Sequence, residues 1–250
     1  MMQPGWIDAE WPAPPGVRAG TTTRDGGVST GPYASLNLAD HVGDEADAVA
    51  ENRKRLVDSL RDSLGFTGEL LWLRQVHGCG LATVGRDRPG TCADASYADK
   101  PGNACVVLTA DCLPVLITNR SGTRAAAAHA GWRGLAAGVL GTAVARFPDA
   151  PADLMAWLGP AIGPGSFEVG ADVRDAFVTE DPGAAGCFVD GGPGHWLADL
   201  YALARRRLAA LGVNSVYGGE YCTVSDPRRF YSYRRDGATG RMASLIWVSG

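Results

Sequence analysis

The sequence predicts an α+β fold with mixed β-sheets, built as one domain over residues 1–250. Three observations lead there. Three segments carry apolar residues at helical spacing, while the other apolar runs are short enough to be strands. The two kinds do not alternate in the regular way of a parallel βαβ sheet. The 34 glycines and 15 prolines are spread along the chain, as tight turns between short strands require.

The first expected strand is 17–23. Residues 46–64 form a helix by pattern, with Val49, Leu56, Val57, Leu60 and Leu64 on one face. Strands follow at 70–77, 81–85 and 104–109. Alternation in the first of these places Leu71, Leu73, Gln75 and His77 together. Strands are expected at 113–118 and 124–129, and Leu113–Thr118 and Thr123–Ala128 flank Asn119-Arg120-Ser121-Gly122, a composition suited to a hairpin turn. A turn centred between Arg120 and Ser121 sets Cys112 opposite His129, with Cβ atoms about 4.5–5.5 Å apart. Pro114 lacks an N–H and so belongs at the strand's start or against an edge. Residues 133–147 read as one helix through Ala136, Val139, Leu140, Ala143, Val144 and Phe147. After a strand at 153–158 comes a helix at 199–211, with Asp199 as N-cap and Gly212 just past its end. Strands at 213–217 and 243–248 complete the pattern.

The net charge of -4 (23 Lys+Arg, 27 Asp+Glu) argues against nucleic acid as a partner but allows a local arginine cluster that holds one phosphate. No apolar run approaches the roughly 20 residues of a membrane helix. Met1–Trp6 has neither the basic start nor the apolar core of a signal peptide. A soluble, cytoplasmic protein without membrane contact is expected, and no obligate protein partner is inferred. Six cysteines at irregular spacing, without a Cys-x-x-Cys pair, read as reduced rather than as a disulfide framework.

Cys112 is the exception among them. Together with His77 and His129 it ends an apolar run, and two imidazoles with a thiolate form a zinc set that leaves a fourth position for water or substrate. Asp111 adjoins it as an orienting or acid/base group. Ala130-Gly131-Trp132-Arg133-Gly134 opens a helix, whose free N–H groups and Arg133 suit an anion. Phe167 and Glu168, after a Gly-rich run, are placed to reach a pocket. Arg234-Arg235 is a better phosphate candidate than Arg205-Arg206-Arg207, which reads as a solvated helix face.

Nine ordered segments carry a resemblance that covers nearly the whole chain. They are Thr23-Arg24-Asp25-Gly26-Gly27-Val28-Ser29, Ser35-Leu36-Asn37-Leu38, His41-Val42-Gly43-Asp44, Gln75-Val76-His77-Gly78, Ala110-Asp111-Cys112, His129–Gly134, Trp157-Leu158-Gly159-Pro160, Phe167-Glu168-Val169-Gly170 and Ser232-Tyr233-Arg234-Arg235. With them the chain resembles the YfiH family, also called the laccase-domain, polyphenol-oxidase or peptidoglycan editing factor family. The resemblance implies a layered α/β sandwich with mixed sheets, related to the catalytic domains of deamidating toxins. It implies zinc on His77, Cys112 and His129. It further implies phosphorolysis of adenosine, inosine, guanosine and methylthioadenosine, together with deamination of adenosine. Purine nucleosides and phosphate are then the partners, and Arg24, Asn37, Gln75 and Arg133 the substrate contacts. The residues do not decide whether Asp111 or Glu168 moves protons.

Three other readings start from the same residues. Cys112 with His129 as its base can make an amide hydrolase that edits cell-wall precursors. A multicopper phenol oxidase needs more histidines than the four present. A binding module without catalysis predicts no turnover of any nucleoside.

Overall fold

The computed structural model describes residues 5–249. In chain order the first half holds β1 (Trp6–Asp8), β2 (Val17–Thr22), α1 (Ala46–Leu64), β3 (Leu70–Leu71), β4 (Leu81–Thr83), β5 (Ala95–Ala98), β6 (Ala104–Thr109), β7 (Leu113–Asn119) and β8 (Ala125–Ala130). Then come α2 (Trp132–Ala137), α3 (Val139–Ala145), β9 (Leu154–Leu158), β10 (Glu168–Gly170), α4 (Ala171–Val178), β11 (Phe188–Gly192) and β12 (His195–Ala198). The chain ends with α5 (Leu200–Ala210), β13 (Ser215–Gly218), α6 (Tyr233–Asp236) and β14 (Met242–Val248).

Two mixed sheets form the centre. One runs β1-β2-β14-β6-β3 and the other β13-β9-β7-β8-β5-β4; β10-β12-β11 makes a small third sheet. Side-chain alternation explains how they stack. On β6, Cys105 and Val107 join Leu116, Ala125, Ala127 and Trp157 of the second sheet in one core cluster. Ala104, Val106 and Leu108, on the other face of β6, pack with Leu56 and Leu60 of α1. Val115 and Ile117 of β7 meet Val139, Leu140 and Ala143 of α3 and Leu203 of α5. The order is therefore helix, sheet, sheet, helix. Both central sheets are covered on both faces, which is why β6, β7, β8 and β14 are buried throughout.

The α1 boundaries agree with the expectation. Its N–H-capping end is Gly65 in the left-handed region, donating to Leu60 and Arg61 carbonyls. Asp199 caps α5 by accepting from Ala202 N–H. Three expectations are corrected. The strand expected over 70–77 stops at Leu71, and residues beyond it enter a loop. The single helix over 133–147 is two short helices, broken at Gly138 with φ 97°. The hairpin of β7 and β8 is antiparallel, but its turn is centred one residue further on. Pro114, not Cys112, faces His129.

Candidate metal centre and active site

That register error spares the site because of parity. Residues directly opposite share a face, and moving the turn centre by one residue displaces partners by two positions. Cys112 and His129 thus become diagonal neighbours on the same face, the one turned toward the other sheet. Cys112 sits just before β7, after Asp111, whose φ is 92°. His77 comes from the loop after β3 with φ 59°. Among the described residues these are the two non-glycine positions with positive φ. Such a conformation costs of order 1–3 kcal/mol and persists only where surroundings enforce it.

Asp94 enforces that of His77. Its buried carboxylate accepts N–H bonds from Val76 (3.2 Å), His77 (2.9 Å) and Gly78 (2.7 Å). The same carboxylate lies 2.8 Å from His129 Nδ1. One side chain therefore sets both the backbone of one histidine and the ring of the other. Burial works against ionisation of Asp94, but the bonds from His129 and the three N–H groups hold its carboxyl below the usual range. As an anion it accepts the Nδ1 proton, so His129 Nε2 is left to face Cys112.

The donor atoms of His77, Cys112 and His129 all lie within 4.8 Å of one another. Cys112 Sγ is 3.8 Å from His77 Nε2. Zinc bonds of roughly 2.0–2.3 Å place ligand atoms up to about 4 Å apart, so the group fits a metal ion after small shifts. Gly131 keeps the space clear: a Cβ there would stand 2.9 Å from Cys112 Sγ and 3.1 Å from His77 Cδ2. Charge coupling is strong. Burial alone would raise the Cys112 thiol, yet His129 and His77 bring it down to about 6. Burial would lower His129, but Cys112 and Asp94 lift it to about 9. Buried Cys105 has no such neighbours and is pushed up to about 12.

The trio lines a cavity of about 460 Å³, within the range of small-molecule sites. Gln75 and Arg133 also line it, as expected, and so do Asp111, Arg234 and Arg241. Gln75 bonds both ways to the Leu108 backbone, as a strand residue would. Asp111 accepts from the Thr223 hydroxyl and, at 2.6 Å, from Arg234 N–H. Arg24 and Asn37 are not among the lining residues. Arg24 donates to the Ala34 and Pro227 carbonyls and stacks on Tyr231. Asn37 is fully buried and accepts N–H bonds from Ala39 and Arg241. Glu168 is likewise absent from the lining; its carboxylate is 3.5 Å from His195. Arg235 is occupied by Asp236 and three backbone carbonyls. Helix α2 has only six residues, too few for the anion site expected at its start.

Sequence reasoning missed Asp94 and Arg241. Asp94 precedes β5 and carries no short motif with its partners, which are chiefly backbone N–H groups. Arg241 gave no signal except its place just before the last strand.

A family model described as multi-copper polyphenol oxidoreductase laccase matches residues 18–249. A protein of Shigella flexneri named purine nucleoside phosphorylase YfiH is 53% identical over 243 residues, 97% of this chain and 98% of its own. A crystal structure from Neisseria meningitidis superposes with TM-score 0.92 at 52% identity, covering 98% of this chain and 100% of that one. YlmD from Geobacillus stearothermophilus gives TM-score 0.92 at 34% identity, covering 100% and 98%. Neighbours of this kind bear out the layered fold with mixed sheets. With the match running through both central sheets and the His77, Cys112 and His129 group, the chain belongs to the laccase-like YfiH family.

Proposed function

We propose that the protein is a zinc-dependent purine nucleoside enzyme. It cleaves adenosine, inosine, guanosine and methylthioadenosine with phosphate, and it deaminates adenosine with water. The observation that carries this reading is the convergence of His77, Cys112 and His129 on one wall of a nucleoside-sized cavity. The name of the Shigella relative supports the phosphorylase part. A zinc ion held by the trio supplies a Lewis acid with a position left for a reactant.

The chain's own residues do the rest. Asp94 keeps His129 in one tautomer and fixes the His77 backbone. Trp132 and Phe167 offer apolar wall to a purine, and Arg133 and Arg234 give the mouth a positive field. In phosphorolysis a phosphate oxygen bonds to C1′ of the ribose while the bond to the purine nitrogen breaks, and the purine takes up a proton. In deamination water adds at C6 and ammonia leaves. Asp111 lines the cavity and Glu168 does not, so Asp111 is the carboxylate retained. Its two hydrogen bonds support a role in holding the start of α6 and Arg234 in place. Gln75 acts in the same way on the end of β6.

The test measures hypoxanthine release from inosine with and without phosphate, and ammonia release from adenosine, on the same preparations. Phosphate is expected to be required for the first and not the second. Cys112→Ser is expected to lose both activities and most of about one bound zinc per chain. Full zinc in Cys112→Ser, or inosine cleavage at full rate without phosphate, overturns the reading.

A second reading rests on Asp94, His129 and Cys112, which form the acid–base–thiol order of a cysteine amidase. Stoichiometric zinc in purified protein counts against it. In that case iodoacetamide at neutral pH modifies Cys112 only after a chelator has removed the metal. Rapid alkylation of the protein as purified supports the amidase.

A further inference from the structure

Three arginines line the cavity, and their surroundings differ. Arg133 is exposed and stacks on Trp132. Arg234 is exposed and gives Nη1 to the Glu168 carbonyl. Arg241 is partly buried, and among the described residues it makes no ion pair. Its Nη1 donates to the carbonyls of Thr239 (2.8 Å) and Gly240 (3.0 Å), which orients the guanidinium. Nε and Nη2 donate to no described protein group, neither is among the fully buried unpaired atoms, and the residue lines the cavity. Asp111 and Cys112 are the anionic groups that face it, and burial outweighs both in lowering the guanidinium's pKa.

The backbone beneath this side chain is unusually well held. Arg241 N–H donates to Asn37 Oδ1 (3.0 Å), and its carbonyl accepts from Leu38 N–H (3.3 Å). Asn37 is itself fixed by Ala39 and Asp44. Gly240 lets the loop segments close, because a Cβ there would lie 2.7 Å from the Tyr231 ring and 2.9 Å from Asn37 Cβ. A partly buried guanidinium that makes no ion pair and keeps two donor nitrogens free beside a cavity offers a site that an anion can complete. Carboxylates and phosphates match that edge with two parallel hydrogen bonds.

We infer that Arg241, positioned by Asn37 and Gly240, is the oxyanion-binding residue of this cavity and takes inorganic phosphate. This rests on the proposed phosphorolysis for its biological meaning, but not for its test. Inorganic phosphate is titrated into the purified, metal-containing protein and followed by phosphorus-31 line broadening; the KM for phosphate in inosine cleavage is measured alongside. Arg241→Gln is expected to weaken phosphate binding about ten- to hundredfold, the equivalent of its charge-assisted hydrogen bonds, while the KM for inosine moves little. Arg241→Lys keeps the charge without the fork, so it loses less, and it serves if the glutamine variant does not fold. Arg61→Gln, on the far end of α1, controls for a change in net charge. Unchanged phosphate affinity in either Arg241 variant overturns the assignment, and so does a wild-type protein that binds no phosphate. If phosphate binds through Arg241 but inosine is not cleaved, the subsite stands and the nucleoside reading fails. If inosine cleavage needs phosphate and Arg241→Gln leaves it unaltered, the reverse holds.

Discussion

Asp94 concentrates the local chemistry more than any ligand does. It accepts three consecutive N–H groups and the His129 ring, so its loss disturbs two ligands together. Asp94→Asn keeps the size but replaces one acceptor oxygen with a donor NH₂. Metal affinity is expected to fall about ten- to hundredfold, as for other groups that orient ligating histidines. Competition with a chromophoric chelator measures this; wild-type affinity in the variant would remove the role. The candidate metal trio, which the structure brings within 4.8 Å, was legible in the sequence because its chemistry lies in side-chain identity. Asp94 was not, because its partners are mostly backbone amides, and neither they nor the positive φ of His77 leaves a mark on the chain.

At the scale of elements, the β7–β8 hairpin brings Cys112 and His129 together, and Asn119 holds its turn. Its buried side chain accepts from Thr123 and Arg124 N–H and donates to Thr123 Oγ1 and Asp149. Asn119→Ala is expected to cost about 1–3 kcal/mol from the polar groups left unpaired. Urea unfolding measures it, and a midpoint equal to wild type would show the turn to be held by its strands alone. The composition of the turn was readable, but its centre was not, since the Asn119 side chain, which accepts from Thr123 and Arg124 N–H, acts with the Gly122 N–H to Asn119 carbonyl bond to place the strand ends. Helix α1 was readable to the residue because a 19-residue amphipathic run ends in glycine. The strands β10, β11 and β12 were not anticipated: they are short and partly exposed, with little alternation to mark them. Four consecutive alanines in β8 have a helical preference, and burial between β5 and β7 overrides it.

For the whole molecule, the layer between the two central sheets is the shared foundation of the site. Leu116 is fully buried there, on the face of β7 that also carries Cys112. Leu116→Ala is expected to cost about 2–5 kcal/mol by transfer and cavity terms. Folded variant should still bind metal, because no ligand contact is removed. Denaturant titration with metal analysis checks both parts; loss of metal from fully folded protein would show that the core and the site are coupled. Among the described residues no helix is long and apolar enough to cross a membrane.

Taken alone, the sequence determined the class of fold and the main strands and helices, singled out His77, Cys112 and His129 as candidate metal ligands, and through its ordered motifs pointed to the family. The elements follow from residue type and short-range periodicity, and the motifs from residue identity, which a chain displays in linear order. The tertiary structure decided which polar residues reach the cavity. Arg24, Asn37 and Glu168 turn away to local partners, whereas Asp94 and Arg241 arrive at the site from outside every motif that marked it. The physical reason is that hydrogen-bond partners across sheets are chosen by register and packing, over separations that local sequence does not encode.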